Sequence, residues 1–183
     1  IWSRLLNQRL VFFGTQLDDT VANLIIAQLL HLEAEDPGKD IRLYSNSPGG
    51  DMTALFAIYD TMQLLRCDVA TFCIGQAASA AAVILAGGTK GKRFALPNSR
   101  VLIHQPHGGA QGQTKDMELA VKEMVLMRER MTLALAEDTG QTVEQIAIDI
   151  DRDFILRGED AVAYGLVDEI LTKQGALPVE ALR

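Results

Sequence analysis

The chain has 183 residues, 48% of them hydrophobic and 22% charged, with a formal net charge of -7. Such a length suits one domain with a single sizeable core, here taken as residues 1–183, and the composition is that of an ordinary soluble globule. The acidic balance speaks against a nucleic-acid binder, which needs clustered Lys and Arg to neutralise phosphates, and no apolar run is long enough to span a bilayer. The one basic knot, Lys90-Gly91-Lys92-Arg93, reads as a solvated turn. No signal peptide is visible, and the start at Ile1 without a methionine reads as a processed or trimmed terminus. Cys67 and Cys73 lie too near each other along one extended segment to bridge. They read as reduced thiols in a cytoplasmic compartment, with Cys73 in a packing role.

In chain order, residues 3–10 form an amphipathic lead-in and residues 10–13 (LVFF) a first strand. Asp18 or Asp19 caps a helix with Val21, Leu24, Ile25, Leu29 and Leu32 on one face, and His31 inside it reads as a packed or surface residue. A turn at residues 36–39 leads to a strand at 41–44 (IRLY). Asn46-Ser47-Pro48-Gly49-Gly50 then opens a helix that buries Ala54, Leu55, Ile58, Met62 and Leu65. Paired glycines at such a junction suit a tight turn or a nest of uncovered N–H groups. Strand, small-residue loop and helix recur over residues 69–88, which argues for an α/β layer structure with its active loops along one sheet edge. Residues 94–96 and 101–104 are further strands. Residues 114–138 are the longest helical signal, with an apolar stripe of Met117, Val121, Met124, Met131 and Leu135; so long a helix projects towards another subunit. Thr142 and Gln145 match a capping box, residues 159–164 form a helix closed by Gly165, residues 166–171 form a last strand, and residues 174–183 are a weakly structured tail.

The chemistry centres on residues 75–83 (GQAASAAAV), which follow the strand-like run 69–74 (VATFCI) and enter a buried helix at residues 80–86. Ser79 falls at that helix N-terminus. A hydroxyl there can attack a carbonyl, and the N–H of Ala80 can receive the developing oxyanion. A plain capping serine is the commoner use of that position, and the spacing is not the G-x-S-x-G elbow. Of three histidines, His104 alone sits at a strand end, beside Gln105-Pro106, where it can serve as a base. A metal held by His104 and His107 lacks further ligands nearby. Asp149, Asp151, Asp153 and Asp168 all remain open as the carboxylate that would orient His104.

Several motifs in fixed order resemble the proteolytic subunit of the Clp protease. They are Asn46-Ser47-Pro48-Gly49-Gly50, Ala57-Ile58-Tyr59-Asp60-Thr61-Met62, Gly75-Gln76-Ala77-Ala78-Ser79, and Gly91-Lys92-Arg93-Phe94-Ala95-Leu96-Pro97-Asn98. They continue through His104-Gln105-Pro106, Gln111-Gly112-Gln113, Asp151-Arg152-Asp153 and Tyr164-Gly165-Leu166. The resemblance implies an α/β, crotonase-like spiral of repeated strand-strand-helix units, with the long helix as a handle between two stacked seven-membered rings. It implies Ser79 as nucleophile, His104 as general base and acid, Asp153 as the orienting carboxylate, and an oxyanion hole from the N–H groups of Gly50 and Ala80. Arg152 and Gln113 would hold the ring-to-ring contact. The substrates would be peptides and unfolded proteins, the latter fed by a Clp-type AAA+ unfoldase that uses ATP, while the subunit itself carries no cofactor and no metal. The rings would be of one kind or mixed with a paralogue.

The sequence departs from the family pattern at Ala80, often methionine, and at Ser45, usually aliphatic. Asp51 adds a charge, and His107 and Ala110 stand where larger apolar residues are frequent. Two other readings compete: a structural ring subunit that needs an active paralogue, and a crotonase-type acyl-CoA enzyme on the same fold. An intact Ser79, His104 and Asp153 argues against both.

Overall fold

The computed structural model describes residues 1–109 and 111–172. The expected tail at 174–183 and the departure at Ala110 lie outside them. The architecture is mixed α/β, with elements α1 (Trp2–Asn7), β1 (Leu10–Phe13), α2 (Asp19–Glu35), β2 (Ile41–Ser47), α3 (Met52–Leu64), β3 (Val69–Ala78) and α4 (Ala80–Ala86). There follow β4 (Arg93–Ala95), β5 (Arg100–Ile103), α5 (Thr114–Thr139), α6 (Val143–Asp149), β6 (Phe154–Arg157), α7 (Glu159–Tyr164) and β7 (Glu169–Ile170). Strands β1-β2-β3-β4-β7 form a parallel path, and the sheet branches at β3. The first half of β3 pairs with β4 through Thr71–Cys73, its last residues pair with β5 through Gln76–Ala78, and β6 adds antiparallel to β5. This branch carries the sheet towards the candidate site.

Side chains alternate across the sheet, as the two-residue strand period requires. Val11, Phe13, Leu43 and Cys73 face the main core with the buried sides of α2, α3 and α4. All seven residues of α4 are buried, which explains their small or aliphatic character: the helix is enclosed on every side. On the other sheet face Phe12, Tyr44, Phe72 and Phe94 lie in register and stack, with centroids 5.4, 4.6 and 5.0 Å apart along the row. That spacing follows from the ~4.8 Å between paired strands. Caps fix the helix starts: Asp18 accepts from the N–H of Val21 and Asp51 from that of Ala54, each at 2.8 Å. The charge at Asp51 is thus an N-cap, favourable against the α3 dipole.

Several expectations need correction. Leu24 is 60% exposed, because the buried stripe of α2 is Ala22, Ile25, Leu29 and Leu32. The last strand shrinks to β7: Leu166 and Val167 N–H groups turn back to Ala161 O, and both side chains enter the core. The strand at 69–74 continues to Ala78, so there is no turn at Gly75; Asn46 Oδ1 accepts from Gln76 N–H at the irregularity between β2 and β3. Strand β6 has no counterpart in the sequence reading. The capping box is half formed, since Thr142 accepts from Gln145 N–H but the Gln145 amide donates to Asp149. On α5 only Met131, Thr132 and Leu135 are buried, while Met117 and Val121 remain exposed, so its N-terminal half projects beyond the core.

The basic knot also reads differently in three dimensions. Arg93 is buried, its Nε and Nη2 bonded to Asp168 at 3.0 and 2.6 Å and its Nη1 to the carbonyls of Ala86 and Asp138. Burial raises the Asp168 carboxyl, but the bonds from Arg93 outweigh it and leave the group below the ordinary carboxylate range. Nearby, burial pushes the Asp138 carboxyl up to about 6, although the Tyr59 hydroxyl donates to it at 3.1 Å. Because this folded-state value lies above the ordinary 3.8, the contribution of Asp138 to stability is full at low pH and is lost as pH rises from about 4 through about 6. Asp138→Asn keeps an acceptor for Tyr59 and removes that slope. Melting curves should show the variant gaining on the wild type between pH 4 and 7, by on the order of 1–2 kcal/mol after screening, or about 2–6 °C. Parallel curves would contradict it.

Candidate active site

Strand β3 delivers Ser79 one residue beyond Ala78, which pairs with Leu102. The Ser79 N–H donates to Leu102 O at 2.8 Å. Its backbone sits at φ 56°, ψ -124°, one of two non-glycine residues at positive φ among those described. This is the first central position of a type II′ turn, where glycine is usual, and a residue with a Cβ is strained there by about 1–3 kcal/mol. The same geometry recurs at a later strand-to-helix junction, between β6 and α7, and there the chain uses Gly158 at φ 50°, ψ -131°. Although Ser79 occupies the N-cap position of α4, its side chain makes no capping bond. The commoner reading of a capping serine therefore fails: the strained residue holds a hydroxyl that does not serve the helix.

Loop 46–50 closes over this turn. The Ser47 hydroxyl donates to Thr15 O at 2.5 Å and accepts from Gly49 N–H at 3.1 Å. A Cβ on Gly49 would fall 2.8 Å from Ser79 Cβ and 2.9 Å from Ala80 N, so the approach requires glycine. Gly50 is bracketed by two bonds to Leu17, from Leu17 N–H to Gly49 O at 2.8 Å and from Asp51 N–H to Leu17 O at 3.0 Å. Those bonds leave the N–H of Gly50 unpaired among the described residues. Ala80, as the first residue of α4, has no helix carbonyl one turn back for its own N–H. The amides of Gly50 and Ala80 are thus unpaired among the described residues, whereas the Gly49 amide is occupied.

His104 follows β5, and Asp153 precedes β6. Because Ile103 pairs with Phe154 in the antiparallel ribbon, the two side chains meet, with His104 Nδ1 2.9 Å from Asp153 Oδ1. The other carboxylates left open by the sequence are engaged elsewhere. Asp149 accepts from Tyr164 and Gln145, Asp151 from Gln105, and Asp168 from Arg93. The His104 side chain is 17% exposed and that of Asp153 63%. No hydrogen bond joins the Ser79 hydroxyl to His104 among the described residues, a looseness common in sites without substrate. A groove of about 550 Å³ opens beside the pair, walled by His104, Pro106, His107, Met124, Arg152 and Asp153, with Ser79 outside its walls.

The remaining expected residues are peripheral. Gln113 is the N-cap of α5 without a capping bond, the Arg152 side chain is 86% exposed, and His31 pairs with Glu35 on the surface at 3.6 Å. Sequence reasoning missed Gln105, whose backbone N–H donates to Ile150 O at 2.6 Å and whose amide donates to Asp151 O at 3.0 Å, tying the His104 loop to the Asp153 segment. Its place in the His104-Gln105-Pro106 motif is the signal that could have found it. No helix among the described residues is long and apolar enough to cross a membrane.

A hydroxyl on a strained turn, an imidazole bonded to a carboxylate and two unpaired amides are the parts needed for acyl transfer through a serine. A family model described as Clp protease matches residues 1–174, and the chain belongs to that family. It is a protease subunit and a serine peptidase.

Proposed function

We propose that Ser79, His104 and Asp153 are the catalytic residues of this peptidase. Ser79 Oγ attacks the scissile carbonyl. The free ring nitrogen of His104 takes the hydroxyl proton and returns it to the leaving amine, while Nδ1–H donates to the Asp153 carboxylate, which fixes the tautomer. The N–H groups of Gly50 and Ala80 receive the oxyanion. The observation that carries this reading is the pairing of β5 with both β3 and β6, which brings the Ser79 turn and the His104–Asp153 bond to one end of one strand. Treatment with a fluorophosphonate tests it: intact mass should show one adduct on the wild type and none on Ser79→Ala. An adduct that persists in the variant sinks the assignment.

The subunit cleaves short peptides without ATP and works in two stacked heptameric rings, of one kind or mixed with a paralogue, that receive unfolded proteins from an AAA+ unfoldase. What supports assembly is the exposed N-terminal half of α5 and the exposure of Arg152 next to Asp153. Arg152 and Gln113 then join the rings, and their contact bears on the neighbouring carboxylate. Arg152→Ala should lower the double-ring fraction and peptidase activity together, by about tenfold, as for loss of an interface arginine. Full activity in an isolated single ring, measured by sedimentation and peptide turnover, would contradict the coupling. The 63% exposure of the Asp153 side chain favours one second reading, a subunit whose site is completed only in a mixed ring. Labelling of Ser79 that needs an added paralogue would identify it.

A further inference from the structure

His107 follows His104 across Gln105-Pro106, and its ring stands edge-on to the His104 ring, with centroids 4.3 Å apart and planes at 70°. In an edge-to-face contact the positive edge of one ring meets the negative face of the other, which is favourable. The contact matters because of how His104 is otherwise held. Asp153 grips one corner of the imidazole, and a single in-plane bond leaves the ring able to swing about it. A second ring against it opposes that swing.

The loop bearing His107 is itself fixed at two points. On one side Gln105 is bonded through its backbone and its amide to Ile150 and Asp151. On the other, Gly108 packs so closely on α5 that a Cβ there would meet Met124 Cε at 3.0 Å. His107 is exposed, so burial does not hold its ring where it is. The short span between Gln105 and Gly108 sets where the ring stands, beside that of His104.

We propose that His107 is a positioning residue for the peptidase reaction: its ring packs on His104 and keeps that imidazole oriented with Nδ1 on Asp153 and the other nitrogen free to exchange a proton with the serine hydroxyl. The proposal rests on the reading of His104 as general base. His107 acts through His104, so its removal slows proton transfer at every substrate without weakening substrate binding.

The test compares the full, assembled chain as wild type, His107→Ala and His107→Phe, reading kcat and KM on a fluorogenic peptide and the rate at which a fluorophosphonate labels Ser79. Loss of one edge-to-face contact corresponds to a fall of about three- to tenfold. His107→Ala should therefore lose about that factor in kcat and in labelling rate, with KM held within about twofold. His107→Phe keeps an aromatic edge and lacks a ring nitrogen, and it should restore both rates. An unchanged alanine variant, a rise in KM at constant kcat, or a phenylalanine variant no better than alanine would each overturn the proposal. His104→Ala, run in parallel, separates this from the underlying assignment: wild-type turnover in that control removes the base itself, independently of what His107 does.

Discussion

Ser79→Ala should lower kcat on peptides by about 10⁵-fold or more, since removing the nucleophile of a serine peptidase leaves only the rate enhancement from binding and the oxyanion donors. The substitution changes little else. Alanine meets the same backbone strain as serine, the hydroxyl makes no capping bond, and the His104–Asp153 contact does not involve it. The variant should therefore melt with the wild type and assemble like it. Turnover above about 1% of wild type, in protein free of contaminating peptidase, would exclude Ser79 as nucleophile.

Asp153→Asn should have the next largest effect, a fall in kcat of about 10³- to 10⁴-fold. An amide can present its NH₂ to His104 Nδ1 and so select the tautomer whose other nitrogen carries a proton, which cannot accept one from serine. The Asp153 side chain is largely exposed, so stability should be unchanged. Controls sharpen the result. Asp149→Asn and Asp151→Asn should each cost no more than a few-fold in kcat, because neither carboxylate touches His104. Asp168→Asn should lower stability instead, since Arg93 would lose the charge that balances it in the interior. A kcat loss at Asp149 or Asp151 equal to that at Asp153 would undo the assignment of the acid.

The serine turn was legible because its signals are local: an apolar β-prone run, a cluster of alanines and a single hydroxyl between them. His104 was legible for the same reason, as a histidine at the end of a hydrophobic run before proline. The long helix showed itself by length. Asp153 was different, since spacing left four aspartates open and only the family resemblance singled one out. What brings it to His104 in space is the pairing of β5 with β6, and β6 is four residues, too short to carry a periodic signal. Tertiary contacts account for the other misses. Leu24 sits one position from Ile25 and so a third of a turn off the buried stripe. Arg93 looked like surface charge because Asp168, which lets it be buried, is 75 residues away. Gly49 looked like any turn glycine until the neighbouring strand brought Ser79 and Ala80 against it.

The two matching junctions, Ser79 before α4 and Gly158 before α7, bear on the history of such a chain. At Gly158 the backbone takes its unusual angles without penalty; at Ser79 it takes them against a steric cost. Residue 79 is thus a place where the most stable sequence and the working sequence part company. A lineage that had given up chemistry and kept only its architecture would relieve backbone strain by drifting to glycine there. A serine at that position carries a conformational penalty that glycine would not, and its hydroxyl makes no capping bond in return.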